Sequence, residues 1–332
     1  MKLVKAALFL ALCLIIAGTG LYAGGGSQPK TDGGKVVVRF GNTQGEGDTQ
    51  TMALREVAKR LNDSGRFQVE VFPSSSLGDT DDMTEQAKQG AAIVTVSDPS
   101  RLAAFVKDYG IINMPYVFKD STVLDKIMAT DTHRQWEAAF EQQNIKLITS
   151  NWYSGPRHFV TNVEVNKPAD LRGQRIRTMG NDICIESVTA MGAVAVGMPW
   201  SEVYPAIQQK ALDGAEVQTT SSYPTRLYEL LKYTNKTAHF QLVGSVVTGT
   251  KFFNSMSKEN QDLFVKTFRD VGTEYQQKVN EVSEQYEKEM ASKHGMIVRD
   301  VDPAPFIEAV QPVYQKLGYA DLRTKILKEL GQ

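Results

Sequence analysis

The sequence predicts an α/β fold of two interleaved lobes, and three observations carry that reading. Short β-branched runs alternate with amphipathic helical patterns through roughly the first hundred residues. A second alternation of the same kind begins near residue 170. Towards the carboxyl end, one helical pattern over residues 258–293 would be roughly 50 Å long at 1.5 Å per residue, longer than an ordinary domain is wide and able to brace two.

Residues 36–42, VVVRFGN, form a β-branched run ending at Gly41 and read as the first strand. The polar TQGEGD leads into a helix from about residue 49. There Leu54, Val57, Ala58 and Leu61 recur at helical spacing, with Arg55, Glu56, Lys59 and Arg60 on the other side. Ser64 and Gly65 stop it. RFQVEVFP alternates strictly, Phe67, Val69 and Val71 against Gln68 and Glu70, until Pro73. A helix then runs to about residue 88, and AAIVTVSD is an apolar strand broken at Pro99. This order predicts helices covering a largely parallel sheet. A single helix is expected over residues 121–143 and a strand over 145–153.

After GPRHFVTN the second lobe begins: QRIRT as a strand, a helix over 182–191, AVAVGMP, the helix SEVYPAIQQK, and ALDGAEVQ. Residues 238–253 are β-rich, as though the chain returned to a sheet. In the long helix Leu263, Phe264, Phe268, Val271, Tyr275 and Val279 recur every three or four residues, with Ser257 as N-cap and Gly295 as stop. A short strand in MIVRDVD and helices over about 305–317 and 321–330 finish the chain. The expected division is residues 36–154 with about 243–282 as one domain, and 155–242 with about 283–332 as the other.

Charge and composition exclude several classes of partner. With 37 basic and 38 acidic residues the net charge is -1, which supplies no field for nucleic acid or for a membrane surface. A monomer with no nucleic-acid partner is expected. Lys2 and Lys5 precede an apolar run over 6–17, and Leu21, Tyr22 and Ala23 resemble a cleavage site, so residues 1–23 read as a signal peptide removed after Ala23. The alternative is a retained anchor, for which the run is shorter than the roughly twenty apolar residues a spanning helix needs. Residues 24–35 read as a flexible linker. Export to the periplasm follows, and with Cys13 lost, Cys184 is the one cysteine left, read as a small buried hydrophobe on a helix.

No GxGxxG, P-loop, HExxH or GxSxG pattern occurs, and His133, His158, His239 and His294 are isolated, so no metal, cofactor or catalysis is expected. Two charges do need an explanation. Alternation puts Arg175 and Arg177 on one face of QRIRT. They form either a solvated face or internal ion pairs, or else a guanidinium fork aimed at a ligand carboxylate. An exported two-lobed chain offers a cleft between lobes for such a ligand.

The series PSSSLGD, INMPYVF, DLRGQRIRT and PWSEVYPAIQQKALDGAE, spread over about residues 36–330, resembles the solute-binding proteins of TRAP (tripartite ATP-independent periplasmic) transporters, the C4-dicarboxylate-binding-protein-like family. The resemblance implies a two-domain, periplasmic-binding-protein-like α/β fold, with hinge strands crossing between the domains and a long helix bracing both. It implies capture of a small organic acid and delivery to TRAP membrane permease subunits. Matched residue by residue, Arg177 would grip the carboxylate, Arg175 would be structural, and Arg157 would be a second arginine near the ligand. Trp200 would line the pocket, Asp98 and Arg101 would face the cleft, and Thr43 would reach it from the first strand's loop. Val217 stands where many members carry an amide, and Thr80 where a sialic acid binder carries a carboxylate, which argues against sialic acid. A sensor of the same fold, or an exported thiol enzyme using Cys184, is the alternative.

Overall fold

The computed structural model describes residues 31–32 and 34–331. The stretch read as a signal peptide, the first part of the expected linker and Cys13 lie outside the described residues. The chain enters through β1 (Thr31–Asp32), which pairs antiparallel with β2 (Lys35–Gly41). There follow α1 (Thr49–Asp63), β3 (Phe67–Phe72), α2 (Thr80–Lys88) and β4 (Ile93–Ser97). Strand β2 pairs in parallel with both β3 and β4, as the alternation predicts. Asp98 caps the short α3 (Pro99–Leu102), whose proline occupies the first turn, where a missing N–H costs nothing.

The helix expected over 121–143 is two helices, α4 (Leu124–Met128) and α5 (Asp131–Gln142). Thr130 breaks it by turning extended and accepting a 3.0 Å hydrogen bond from the His133 N–H, which makes it the N-cap of α5. Strand β5 (Ile145–Thr161) runs 17 residues, well past the expected end at 153. The second half supplies β6 (Arg175–Thr178), α6 (Asp182–Ala190), β7 (Val194–Gly197), α7 (Val203–Gln208), β8 (Gly214–Gln218) and α8 (Thr219–Ser222). Strand β9 (Tyr233–Gly249), also 17 residues, returns to the first half. After it come α9 (Thr250–Asn254), α10 (Lys258–His294), β10 (Ile297–Asp300), α11 (Ala304–Leu317) and α12 (Ala320–Glu329).

All strands join one sheet in the order β1-β2-β4-β9-β5-β8-β6-β7, with β3 also on β2 and β10 also on β9. Apart from the β1–β2 edge pair, the sheet is parallel within each half but antiparallel at its centre, because β5 leaves the first half and β9 comes back beside it. These two long strands pair from Ile145 opposite Gly249 to Thr161 opposite Tyr233, and they cross between the halves. The crossing is not smooth: β5 carries four register shifts, and Gly155 sits at one of them with φ +109°.

Helix α10 ties the cores together. Its Phe264, Phe268 and Val271 pack with Phe40, Leu54 and Phe67 of the first half. Val279 joins the large central cluster around Phe159, Phe240 and Phe306, and Met290 packs with Val203 and Leu227 of the second half. Thirty-seven residues of helix therefore seat on three apolar clusters, which accounts for its length. Its approach to β5 depends on Gly272, where a Cβ would lie 2.3 Å from Asn151 Oδ1 and 2.7 Å from Trp152 Cδ1. The close seat lets the Trp152 indole donate to Phe268 O at 2.9 Å and the Asn151 amide donate to Arg269 O at 3.1 Å. Among the described residues no helix is long and apolar enough to cross a membrane.

Candidate ligand-binding site

The carboxyl ends of β2, β4, β6 and β8 converge on one cavity of about 60 Å³. This is where open α/β sheets hold ligands, since strand ends there give way to loops free to carry function. Thr43 follows β2, Ser97 and Asp98 end β4, Arg177 and Met179 come from β6, and Val217 and Gln218 from β8. All seven residues singled out from the sequence, Arg177, Arg157, Trp200, Asp98, Arg101, Thr43 and Val217, line this cavity. Thr80, where a sialic acid binder would carry a carboxylate, lines it too.

The two arginines of β6 part company. Arg175 lies at the strand's outer end, paired at 2.8 Å with Asp213 and donating to Lys210 O, which is the internal ion pair. Arg177, two residues further in, is 3 % exposed. Its Nε and Nη2 donate to Met198 O at 3.1 and 2.9 Å, and its guanidinium carbon lies 5.3 Å from the centre of the Trp200 ring. Among the described residues it meets no carboxylate at ion-pair distance. Burial, and after it the neighbouring charge of Arg157, pushes its pKa down to about 9, so at neutral pH it remains a cation whose charge is poorly met.

Arg157 is met in full. On β5 it faces β8 across an antiparallel register, so its guanidinium reaches Glu216 through Nε at 2.5 Å and Nη2 at 2.8 Å, and Gln218 through Nη1 at 2.9 Å. The Thr178 hydroxyl donates to Glu216 at 2.7 Å, and His239 Nε2 lies 3.5 Å away. Burial by itself would push the Glu216 carboxyl up, but the charge of Arg157 together with the contacts from His239 and Arg157 outweighs it and holds the group down at about 2. Arg101 is likewise occupied, with Asp81 at 2.7 Å and Asp98 at 3.3 Å. Of three guanidiniums at the cavity, two are neutralised from within the protein.

Residues 40–321 match the family of bacterial extracellular solute-binding proteins, family 7. The chain belongs to this family. The C4-dicarboxylate-binding periplasmic protein DctP of Vibrio cholerae is 26 % identical over 315 residues, covering 93 % of this chain and 94 % of that protein. A TRAP periplasmic solute-binding protein of Actinobacillus succinogenes with bound L-galactonate superposes with a TM-score of 0.84 at 28 % identity, covering 89 % of this chain and 99 % of that one. A TRAP periplasmic solute-binding protein of Escherichia fergusonii in an apo open form superposes with a TM-score of 0.77 at 29 % identity, covering 88 % and 99 %. The protein is thus a solute-binding protein of the TRAP type, with a two-domain α/β fold.

Several cavity residues of this solute-binding protein were not legible as such in its sequence. The Ser97 hydroxyl is buried in the cavity wall and has no hydrogen-bond partner. Gln218 donates to Ser221 at 2.6 Å, and Ser221 in turn donates to Asp48, so a chain of polar contacts links Arg157 to the loop after β2. An amide at the end of a strand and a serine in the short helix after it carry no local signal of this kind. Cys184 has its expected place on α6, 0 % exposed, with Ser100 Oγ at 3.7 Å and Asn113 Nδ2 at 3.8 Å. Burial pushes its thiol up to about 12, so it stays protonated and out of reach of a substrate. His158 and His239 are buried and held neutral at pH 7, since burial lowers both. Among the described residues no cluster of three His, Cys, Asp or Glu could hold a metal ion.

Proposed function

We propose that Arg177 is the anchor of the organic acid this protein carries, gripping its carboxylate through a charge-assisted, two-pronged contact. One observation carries this reading: Arg177 is a buried cation whose partners are a carbonyl oxygen and an indole face, and burial of an uncompensated charge is costly unless an anion completes it. Arg157 acts behind it, held by Glu216, and shapes the wall with Trp200 and Val217 while Thr43, Asp98 and Arg101 contribute from the other lobe. The seat is one for binding and not for catalysis.

The lobes would move as the two expected bodies, residues 36–154 with about 243–282 and residues 155–242 with about 283–332, about the crossing strands. A cavity of about 60 Å³ is far smaller than the roughly 300–1,000 Å³ of ordinary ligand pockets, so an acid must enter by separation of the lobes. The closer likeness to the galactonate-bound relative than to the apo open one supports a closed arrangement here. In this reading residues 1–23 direct export and are removed near Ala23, and the closed form is what a membrane permease recognises. Isothermal titration of Arg177→Ala with the acid found by native mass spectrometry of the purified protein tests the anchor. Loss of binding by on the order of 2–5 kcal/mol is expected, because the buried anion loses its partner. Unchanged affinity would overturn the assignment.

A further inference from the structure

Besides Arg177, a second charge of opposite sign is buried where the lobes meet. Asp48 lies in the loop between β2 and α1, on the first of the two expected bodies, and is 1 % exposed. Residues of the other body cover it: the Ser221 hydroxyl on α8 donates to Asp48 Oδ2, and the Tyr286 phenol on α10 donates to the neighbouring Gly47 O at 2.9 Å. The seam is tight, since a Cβ on Gly47 would lie 3.0 Å from Pro224 Cβ. Separation of the bodies would return the Asp48 carboxylate to water. Its cap on the Gln50 N–H lies within its own segment and would persist.

No cation meets this carboxylate. Among the described residues Asp48 has no Lys, Arg or His at ion-pair distance, and the charged groups on the elements packed around it are already paired: Glu46 with Arg55, Arg157 with Glu216, Glu287 with Lys236 and Glu289 with Lys293. Tyr286 adds a neutral phenol, held protonated by burial and then by the charge of Asp48. The Arg157 guanidinium is reached only through two neutral side chains, Ser221 and Gln218. A carboxylate taken out of water with one hydroxyl and one N–H as partners opposes the closure that buries it. An acid bound at Arg177 completes that cation and does nothing for Asp48.

We propose that Asp48 is the release residue of this binding protein: its ionised carboxylate biases the lobes towards opening, and acid, by neutralising it, favours the closed form. The proposal rests on the reading that the two bodies separate to admit the acid. Closure takes up a proton because the buried carboxyl titrates at about 6, against the ordinary 3.8 in water. The closed-to-open ratio should therefore rise about tenfold between pH 7.5 and pH 5. The test is double electron–electron resonance between spin labels at Lys59→Cys on α1 and Gln208→Cys on α7, both exposed positions, with Cys184→Ala removing the native thiol. Distances are measured at both pH values for wild type, Asp48→Asn and Ser221→Ala, each as purified and after stripping of any retained acid. In wild type the closed separation should gain population at pH 5. Asp48→Asn keeps a capping residue and should be as closed at pH 7.5 as at pH 5. Ser221→Ala deprives the buried carboxylate of a donor and should shift the population at pH 7.5 towards open. Opposite shifts separate a charge from a structural prop, whose loss from either side would open the seam alike. If both variants open the lobes, or if Asp48→Asn keeps the pH dependence of wild type, Asp48 is not a release residue while the moving lobes stand. If wild type gives a single separation under all conditions, the lobes do not move and the reading beneath the proposal falls as well.

Discussion

The carboxylate of Asp48, in the loop after β2, accepts a hydrogen bond from the hydroxyl of Ser221 on α8, joining the two halves of the sheet beside the cavity. Asp48 also accepts from the Gln50 N–H at 2.7 Å, capping α1. Burial dominates its electrostatics and raises its pKa from the ordinary 3.8 to about 6, the two hydrogen bonds pulling weakly the other way. Because the folded value lies above the unfolded one, the folded form holds a proton through the window from about 4 to 6 that the unfolded chain has released. Its contribution is therefore most favourable below that window and is lost as pH rises through it. Asp48→Asn keeps one acceptor oxygen for the Gln50 N–H, turns an amide donor towards the Ser221 oxygen, and removes the titration. Melting curves should show the variant at least as stable as wild type at pH 7.5, with the difference shrinking towards pH 4.5. A gap independent of pH would refute this account.

Two buried arginines 20 residues apart in sequence should respond unequally to removal. Arg157 and Glu216 complete each other, so Arg157→Met leaves a buried carboxylate unpaired and should cost about 3–5 kcal/mol of stability. Arg177 has no such dependant. Arg177→Met gives up two hydrogen bonds to Met198 O but also removes a poorly met charge, so ligand-free stability should fall by no more than about 1 kcal/mol. Urea denaturation of the two variants, both without ligand, distinguishes a strut from an anchor. Equal losses would mean that Arg177 has an internal role like that of Arg157.

Acid should weaken the strut. The Glu216 pKa is depressed from 4.5 to about 2, so its contribution is complete above the unfolded value and is lost as pH falls from about 4.5 towards 2. Glu216→Gln should be less stable than wild type at pH 7 and approach it near pH 2.5, as followed by urea midpoints at both values. Midpoints that stay equally far apart would show that Glu216 acts through shape and not through charge.

How much of this was legible follows from range. Periodicity is local, so α1, β3 and the full span of α10 with its Ser257 cap and Gly295 stop could be read directly. The crossing strands could not be read to their ends. SGPRHFVT interrupts alternation with Gly155 and Pro156, and YTNKT is polar, yet both are buried strand because each lies against the other at the sheet's centre. The break at Thr130 carried a local signal, a threonine before an acidic first turn, that was overridden by the apolar pattern on either side. At the site, Arg177 was reached through a motif, while the partners that free it for a ligand were invisible. Glu216 meets Arg157 only through the register of β5 on β8, and Ser221 meets Asp48 across 173 residues of chain.

The crossing itself yields the last prediction. Gly155 interrupts β5 with φ +109°, a conformation that L residues rarely adopt, at a shift of register where the strand passes between the halves. Space is not the obstacle: a Cβ there would meet Val279 Cγ1 at 3.5 Å, an ordinary contact. The cost of Gly155→Ala is therefore conformational, about 1–3 kcal/mol of backbone strain. A steric cost would be relieved by trimming the neighbour, whereas backbone strain would not. Gly155→Ala and Val279→Ala should thus be additive in urea denaturation, within about 0.5 kcal/mol. Rescue of the first by the second would show that crowding against α10, and not the turn of the backbone, requires glycine at the crossing.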